Sequence, residues 1–250
     1  MPSDTYRWLA KYYDLLFEYP EGFDEARENV IGEILPGVES ACDLCCGTGR
    51  TAIRMASRGI KTFAVDLSPV MCRIAREKVR KAGLHVRVIR GDMRDFRLPQ
   101  TVDLITCECD GMNHIPRKQD LRRVLKSVAR ALCSGGHFAF DVNNRKAFER
   151  IWSNTWFFDK DPVAMVMHGE HEPGTDKAWT DVEWFVREGK SWKRYHEHVE
   201  EVCWSAVEIR DALTNAGFDR LRSWDAAPFF NDGVTLPGNR TFWLARKKPA

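Results

Sequence analysis

DLCCGTGR, residues Asp43 to Arg50, decides the fold. SACDLCC is a short apolar strand candidate with Asp43 within it, and Gly47-Thr48-Gly49 follows it directly. Next comes RTAIRMASRG, a helical pattern that ends on Gly59. Glycines at such a strand-to-helix turn expose backbone N–H groups, and the helix N-terminus adds partial positive charge. Further on, KTFAVDLS, HVRVIRGD, VDLITCE and HFAFDVN read as strands. SPVMCRIAREKVRKAG is a helix with Ser68 as cap, Pro69 in its first turn and Gly83 after its end. RKQDLRRVLKSVARALCSGG is another. This alternation predicts an α/β fold, a doubly wound, mostly parallel sheet of Rossmann type. Ligands of such sheets bind beyond the carboxyl ends of the strands.

Two helices precede the alternation. TYRWLAKYYDLLF sets Trp8, Leu9, Tyr12, Leu15 and Leu16 on one face, and FDEARENVIGEIL stops at Pro36-Gly37. After Asn144 the chain changes character: six of its nine tryptophans fall between there and Ser205. AWTDVEWFVREGKSWKRYHEHVEEVCW alternates on both sides of Glu188-Gly189-Lys190, as an antiparallel hairpin does, and VAMVMHGEH supplies a third strand. SAVEIRDALTNAGF is a helix, and DRLRSWDAA and NRTFWLARKK are the last strands, the second at or beside the sheet edge. The expected division is a helical cap over 1–38, a core over 39–145 and 206–250, and a Trp-rich antiparallel lid over 146–205.

The bulk properties exclude several classes. A net charge of +2 gives no basic footprint for nucleic acid. No apolar run reaches membrane-spanning length, and the N-terminus does not read as a signal peptide. The eight cysteines lie mostly in apolar runs, as reduced thiols of a cytoplasmic protein do. Cys42-x-x-Cys45 and Cys107-x-Cys109 lack the spacing of a structural zinc site, and no metal is expected. The pairs His168/His171 and His196/His198 are the other candidate metal ligands, of which only the second shares a strand face.

Two cofactor classes use a loop like Gly47–Gly49. GTGRTA satisfies the dinucleotide pattern G-x-G-x-x-A, so an NAD-dependent oxidoreductase is one reading. Asp43, four residues before Gly47, would repel a pyrophosphate but suits an ammonium or a sulfonium. Asp66, at the end of the second strand, can accept from both ribose hydroxyls. Asp92 ends the third and can accept from an adenine amino group, with Met93 on the ring edge. Each acid also has a plainer role: Asp43 as a helix cap, Asp66 as a turn acid, Asp92 as a partner of Arg90 or Arg94.

In order and spacing, DLCCGTGR, AVDLSPVM, GDMRDF, DLITCECDGMNHI and GGHFAFDV resemble the class I S-adenosylmethionine-dependent methyltransferases, specifically small-molecule members of the amino-sugar N-methyltransferase kind. The resemblance covers residues 5–145 and returns at EIRDALTNAGF. It implies that Asp43, Cys45, Gly47 and Gly49 hold the methionine moiety and Asp66 the ribose. It also implies that Leu67 packs on adenine, Asp92 and Met93 read its edge, Cys107 and Glu108 meet the methionine amino group, and Tyr13 closes over the cofactor. Cys45 stands where the family has glycine, which is acceptable if its φ is negative.

Methyl transfer needs a general base only when the acceptor arrives protonated. The candidates are His114 and Asp141, with Asp110, Asn113 and Trp184 around the acceptor. His114 serves equally well as a packing residue, and the tryptophans as the core of the hairpin. The expected partner is a small-molecule acceptor, and the expected state a monomer or homodimer. A domain that binds the cofactor without turnover is the third reading.

Overall fold

The computed structural model describes residues 6–17, 22–150, 152–230 and 237–249. It begins with two helices, α1 (Arg7–Leu16) and α2 (Phe23–Ile31). The alternating stretch follows: β1 (Ser40–Leu44), α3 (Arg50–Ser57), β2 (Lys61–Asp66), α4 (Pro69–Lys81), β3 (Val86–Arg90), β4 (Val102–Cys107), α5 (Lys118–Ala131) and β5 (Leu132–Asn143). Next come α6 (Arg145–Arg150), β6 (Thr155–Lys160), β7 (Val163–His171), β8 (Lys177–Glu188) and β9 (Ser191–Val202). The chain closes with α7 (Ala206–Asn215), β10 (Phe218–Asp225) and β11 (Arg240–Lys247).

The main sheet has seven strands in the order β10-β11-β5-β4-β1-β2-β3. Strands β1 to β5 are parallel, and β1 and β4 are buried on both faces, as a helix-covered sheet requires. From β1 the order runs outward through β2 and β3, and on its other side through β4 and β5. The switch point therefore lies between β1 and β4, where Asp43 and Glu108 sit. The Ser68 hydroxyl accepts the Met71 N–H at 3.3 Å and Pro69 opens α4, as its sequence predicts. β11 runs antiparallel between β5 and β10, one place in from the edge. Phe242 to Ala245 explain why it is not the edge strand itself: all four are buried, which an edge strand would not allow.

The four strands β6-β7-β8-β9 form a separate antiparallel sheet. β6 and α6 escape sequence reading because each has six residues, too few for a period. The sheet's inner face carries Val163, Met165, Val182, Trp184 and Val186, which pack on Tyr12 and Leu16 of α1. α1 has no capping side chain of its own, and its cap position, Tyr6, has φ +68°. Glu197 of β9 takes that role. Its carboxylate accepts the Trp8 N–H at 2.7 Å, the Leu9 N–H at 3.1 Å and the buried Trp184 Nε1–H at 3.0 Å.

Glu197→Ala removes a helix cap and strands a buried indole N–H. A loss of about 2–4 kcal/mol is expected, the sum of those two costs. Melting would show it as a lower transition temperature and as earlier hydrogen exchange in α1. Wild-type exchange there would remove the cap.

Candidate cofactor and acceptor site

A cavity of about 390 Å³ opens at the switch point. Its wall includes Tyr13, Asp43, Cys45, Gly47, Asp66, Leu67, Asp92, Met93, Glu108 and His114. Asp43 is buried and accepts the Ala52 N–H and the Thr106 hydroxyl, both at 3.1 Å. It therefore caps α3 and faces the cavity at once. Burial pushes its carboxyl up to about 8, and Glu108 adds to the shift. Asp66 accepts the Gly47 N–H at 2.9 Å through Oδ2 and the Ser68 N–H at 2.8 Å through Oδ1, bracing both loops. Asp92 is gripped by Arg94 through its backbone N–H at 2.9 Å and its Nη2 at 2.5 Å, which holds the carboxyl low. The plainer role weighed for Asp92 is thus realised in this state, with the residue still on the cavity wall.

Cys45 corrects the sequence reading. β1 ends at Leu44, so neither Cys45 nor Cys46 is a strand residue, and Cys45 has φ +57° rather than a negative value. A Cβ in that conformation costs roughly 1–2 kcal/mol. The turn is held by the Cys46 N–H on the Val65 carbonyl at 3.0 Å. Cys107 is fully buried beneath the loop and absent from the cavity wall; the neighbouring Cys45 thiol and burial raise it. A Cβ on Gly111 would stand 2.8 Å from the Cys107 Sγ and 3.1 Å from the Cys45 Cβ, so only glycine lets the two loops lie this close. Gly49, also off the cavity wall, packs on α4: a Cβ there would meet that of Ala75 at 3.0 Å.

Glu108 is paired with Arg27 of α2. Its two oxygens accept from Arg27 Nε at 2.6 Å and Nη2 at 2.5 Å, and the Thr51 hydroxyl donates at 2.8 Å. Sequence reading missed Arg27. The signal was a cation on a buried helical stripe, between Phe23 and Ile31, which has to find an acid.

On the acceptor side, His114 lines the cavity at the end of a 3₁₀ turn, Gly111–His114. The Tyr6 hydroxyl lies 3.0 Å from its Nδ1 and 3.2 Å from its Nε2. A ring N–H reaches the Glu200 carbonyl of β9, and burial lowers the imidazole. Asn113 is a clamp, not a cavity residue: it donates to the Asn143 and Val202 carbonyls at 3.0 and 2.9 Å and accepts the Asn143 N–H at 2.9 Å. Trp184 is fully buried between the second sheet and α1, away from the cavity. Asp141 is also fully buried and off the cavity wall; its Oδ2 accepts Arg240 Nη1 at 2.5 Å and the Asp110 N–H at 3.1 Å. Burial raises it to about 6, against the pull of Arg240. Asp110 accepts from Asn143 Nδ2 at 2.7 Å.

Among the described residues, all eight cysteines are free thiols and no cluster of three or more His, Cys, Asp or Glu could hold a metal. His196 and His198 instead face Glu183 and Asp181 on the exposed lid surface. Among the described residues, no helix is long and apolar enough to cross a membrane.

The acidic, phosphate-averse cavity fits a cationic cofactor better than a dinucleotide. Comparison with known proteins agrees. A family model described as a methyltransferase domain matches residues 41–136. YqeM of Bacillus subtilis (strain 168), a methyltransferase by name, is 27% identical over 97% of either chain. The dTDP-4-amino-2,3,4,6-tetradeoxy-D-glucose N,N-dimethyltransferase of Saccharopolyspora spinosa is 37% identical over 41% of this chain and 39% of its own. The crystal structure of an S-adenosylmethionine-dependent methyltransferase from Clostridium acetobutylicum ATCC 824 superposes with a TM-score of 0.78, at 26% identity over 97% of both chains. The sheet order, the acid-lined cavity and these likenesses together identify an S-adenosylmethionine-dependent methyltransferase, with the methyltransferase-domain match over residues 41–136.

Proposed function

We propose that the protein methylates a nitrogen or oxygen of a small-molecule acceptor. The observation that carries this is the Tyr6–His114 pair on the cavity wall, tied to the lid through Glu200. When bound, S-adenosylmethionine supplies a methyl on sulfur, and the C–S electron pair goes to sulfur as the acceptor's lone pair bonds the carbon. Everything else falls to the chain. Asp43 and Glu108 offer negative charge to the amino-acid end, and Asp66 offers acceptors to the ribose. Tyr6 takes the acceptor's proton as it passes its own to His114, which burial keeps neutral and ready to receive it. β9 reaches over the loop after β4 and excludes water. On this reading residues 1–38 are a cap, 39–145 and 206–250 the catalytic core, and 146–205 the lid. An amino-sugar acceptor is supported by the Saccharopolyspora relative's own substrate.

His114→Gln keeps a polar side chain and removes the titratable base. Turnover is expected to fall about 10²-fold or more, within the range of general-base contributions. The wild-type profile should lose activity only below the ordinary imidazole range, because the shift is downward. A variant with full turnover would leave His114 a packing residue. Initial rates across a panel of amines, sugars and phenols test the class, and complete silence across it would favour cofactor binding without catalysis.

Asp43 predicts a pH effect on the cofactor. A carboxyl raised to about 8 is largely protonated at neutral pH, whereas a cationic ligand prefers it ionised. Binding below pH 8 must therefore release a proton. Affinity for S-adenosylhomocysteine should rise from pH 6 to 8, by at most about tenfold per unit, and level off above. Calorimetry in buffers of different ionisation enthalpy counts the proton, and Asp43→Asn should abolish the slope.

A further inference from the structure

We propose that Glu201, brought in by lid strand β9, acts with Asp110 as the anchor for a cationic nitrogen, so that the acceptor is an amine. This deepens the small-molecule reading above and rests on it. Three carboxyls, Asp110, Asp141 and Glu201, cluster about the guanidinium of Arg240 at the carboxyl ends of β4 and β5. Arg240 gives Nη1 to Asp141 at 2.5 Å and Nη2 to Asp110 at 3.4 Å. Glu201 receives one hydrogen bond, from the Asn143 side chain, and its other oxygen, Oε2, is buried without a partner. Asp141 Oδ1 is in the same state. Glu201 itself is only 7% exposed.

Buried carboxylate oxygens are nearly always satisfied, because leaving one bare costs about 1–3 kcal/mol or more. Three acids against one arginine also leave the cluster two negative charges in excess when ionised. One added cation with N–H donors would partner the bare oxygens and cancel one of the two excess charges. Neither Glu201 nor Asp110 is on the cavity wall itself, but Cys109 and Gly111, the chain neighbours of Asp110, both are. After burial itself, Glu201 is the group that most raises the Tyr6 hydroxyl, and that hydroxyl bonds His114 on the cavity wall. A nitrogen held by Glu201 is therefore beside the proton relay. The lid, not the cofactor loop, supplies the group, so the lid sets acceptor choice.

The test uses the full chain and named probes. Benzylamine and glucosamine are compared with benzyl alcohol and glucose as acceptors, and as ligands of the enzyme loaded with S-adenosylhomocysteine. The amines should bind and be methylated, and their neutral counterparts should not. Glu201→Gln should raise the amine KM at least tenfold and leave S-adenosylhomocysteine affinity within twofold. Its melting temperature should stay level, since burial already pushes the Glu201 carboxyl well above its usual range and the amide keeps its shape. Glu201→Asp should recover part of the amine affinity. Equal use of amine and alcohol, no amine binding to the loaded enzyme, or an unchanged KM in Glu201→Gln would overturn the assignment. A Glu201→Gln protein that melts much earlier would also overturn it, by making the residue structural. Failure of S-adenosylhomocysteine to bind wild type would instead remove the reading beneath it.

Discussion

Arg240→Met should destabilise the protein by about 3–5 kcal/mol, the cost of leaving a buried ion without its partner. Arg240 lies beside three buried or half-buried acids, and Asp141, fully buried, depends on it most directly. Burial alone would weaken the guanidinium's hold on its proton, but Asp141 and then Asp110 more than offset this and keep it charged. At about 2–4 °C per kcal/mol for a chain of this size, the melting temperature should fall by roughly 6–20 °C. The sign of the pH effect follows from Asp141. Its folded-state carboxyl is already raised to about 6, so wild-type stability from this group declines as pH rises from its unfolded value towards 6. Without Arg240 the carboxyl rises further, and the decline extends to higher pH. The deficit of the variant should therefore be smaller at pH 5 than at pH 8. Arg240→Lys keeps the charge but loses the fork that spans Asp141 and Asp110, and should fall between. Combining Arg240→Met with Asp141→Asn should recover much of the loss, because removing both ions is far cheaper than removing one. A double variant as unstable as the single would show that the arginine's packing, not its charge, matters.

How much of this was legible beforehand depended on what kind of signal each residue carries. The parallel sheet follows from periodicity, and the three acids at strand ends follow from position along each strand. Both are local properties of the sequence. The sign of φ at Cys45 is not local: it depends on the Gly111 loop descending onto it. Position along the strand suggests an adenine contact for Asp92, while Arg94, two residues on, holds it in this structure. The lid was harder. In β9, Tyr195, Glu197, Val199 and Glu201 share the buried face, while Arg194, His196, His198 and Glu200 face outward. Alternation is visible, but two glutamates on the inner face blunt its contrast with the outer Arg194, His196, His198 and Glu200. The pattern could be seen and not phased. The residues that the sequence left unremarked, Arg27, Glu197 and Glu201, are all buried charges whose partners lie far away in the chain. Trp184 errs in the opposite sense, since an aromatic in a lid can pack inward as readily as towards a ligand.

Asp66→Ala should weaken S-adenosylhomocysteine binding about 10²–10⁴-fold. The carboxylate stands on the cavity wall with one oxygen on the Gly47 N–H and the other on the Ser68 N–H. Each oxygen retains a second lone pair, so two ribose hydroxyls can donate without displacing either amide. Hydrogen bonds to a charged group contribute about 1.5–3 kcal/mol each, and two of them give the range stated. The substitution also releases two loop amides, so the unliganded protein should melt earlier by an amount that two bonds to a charged acceptor explain. The two effects separate experimentally. Adenine and methionine fragments bind without the ribose, and their weakening in the variant measures the loop alone. If the whole cofactor product loses no more affinity than the fragments do, Asp66 is a loop brace and the ribose contact is wrong. If it loses 10²-fold beyond them, one carboxylate both shapes the Gly-rich turn and recognises the sugar, which makes the donor pocket's form and its selectivity inseparable at that residue.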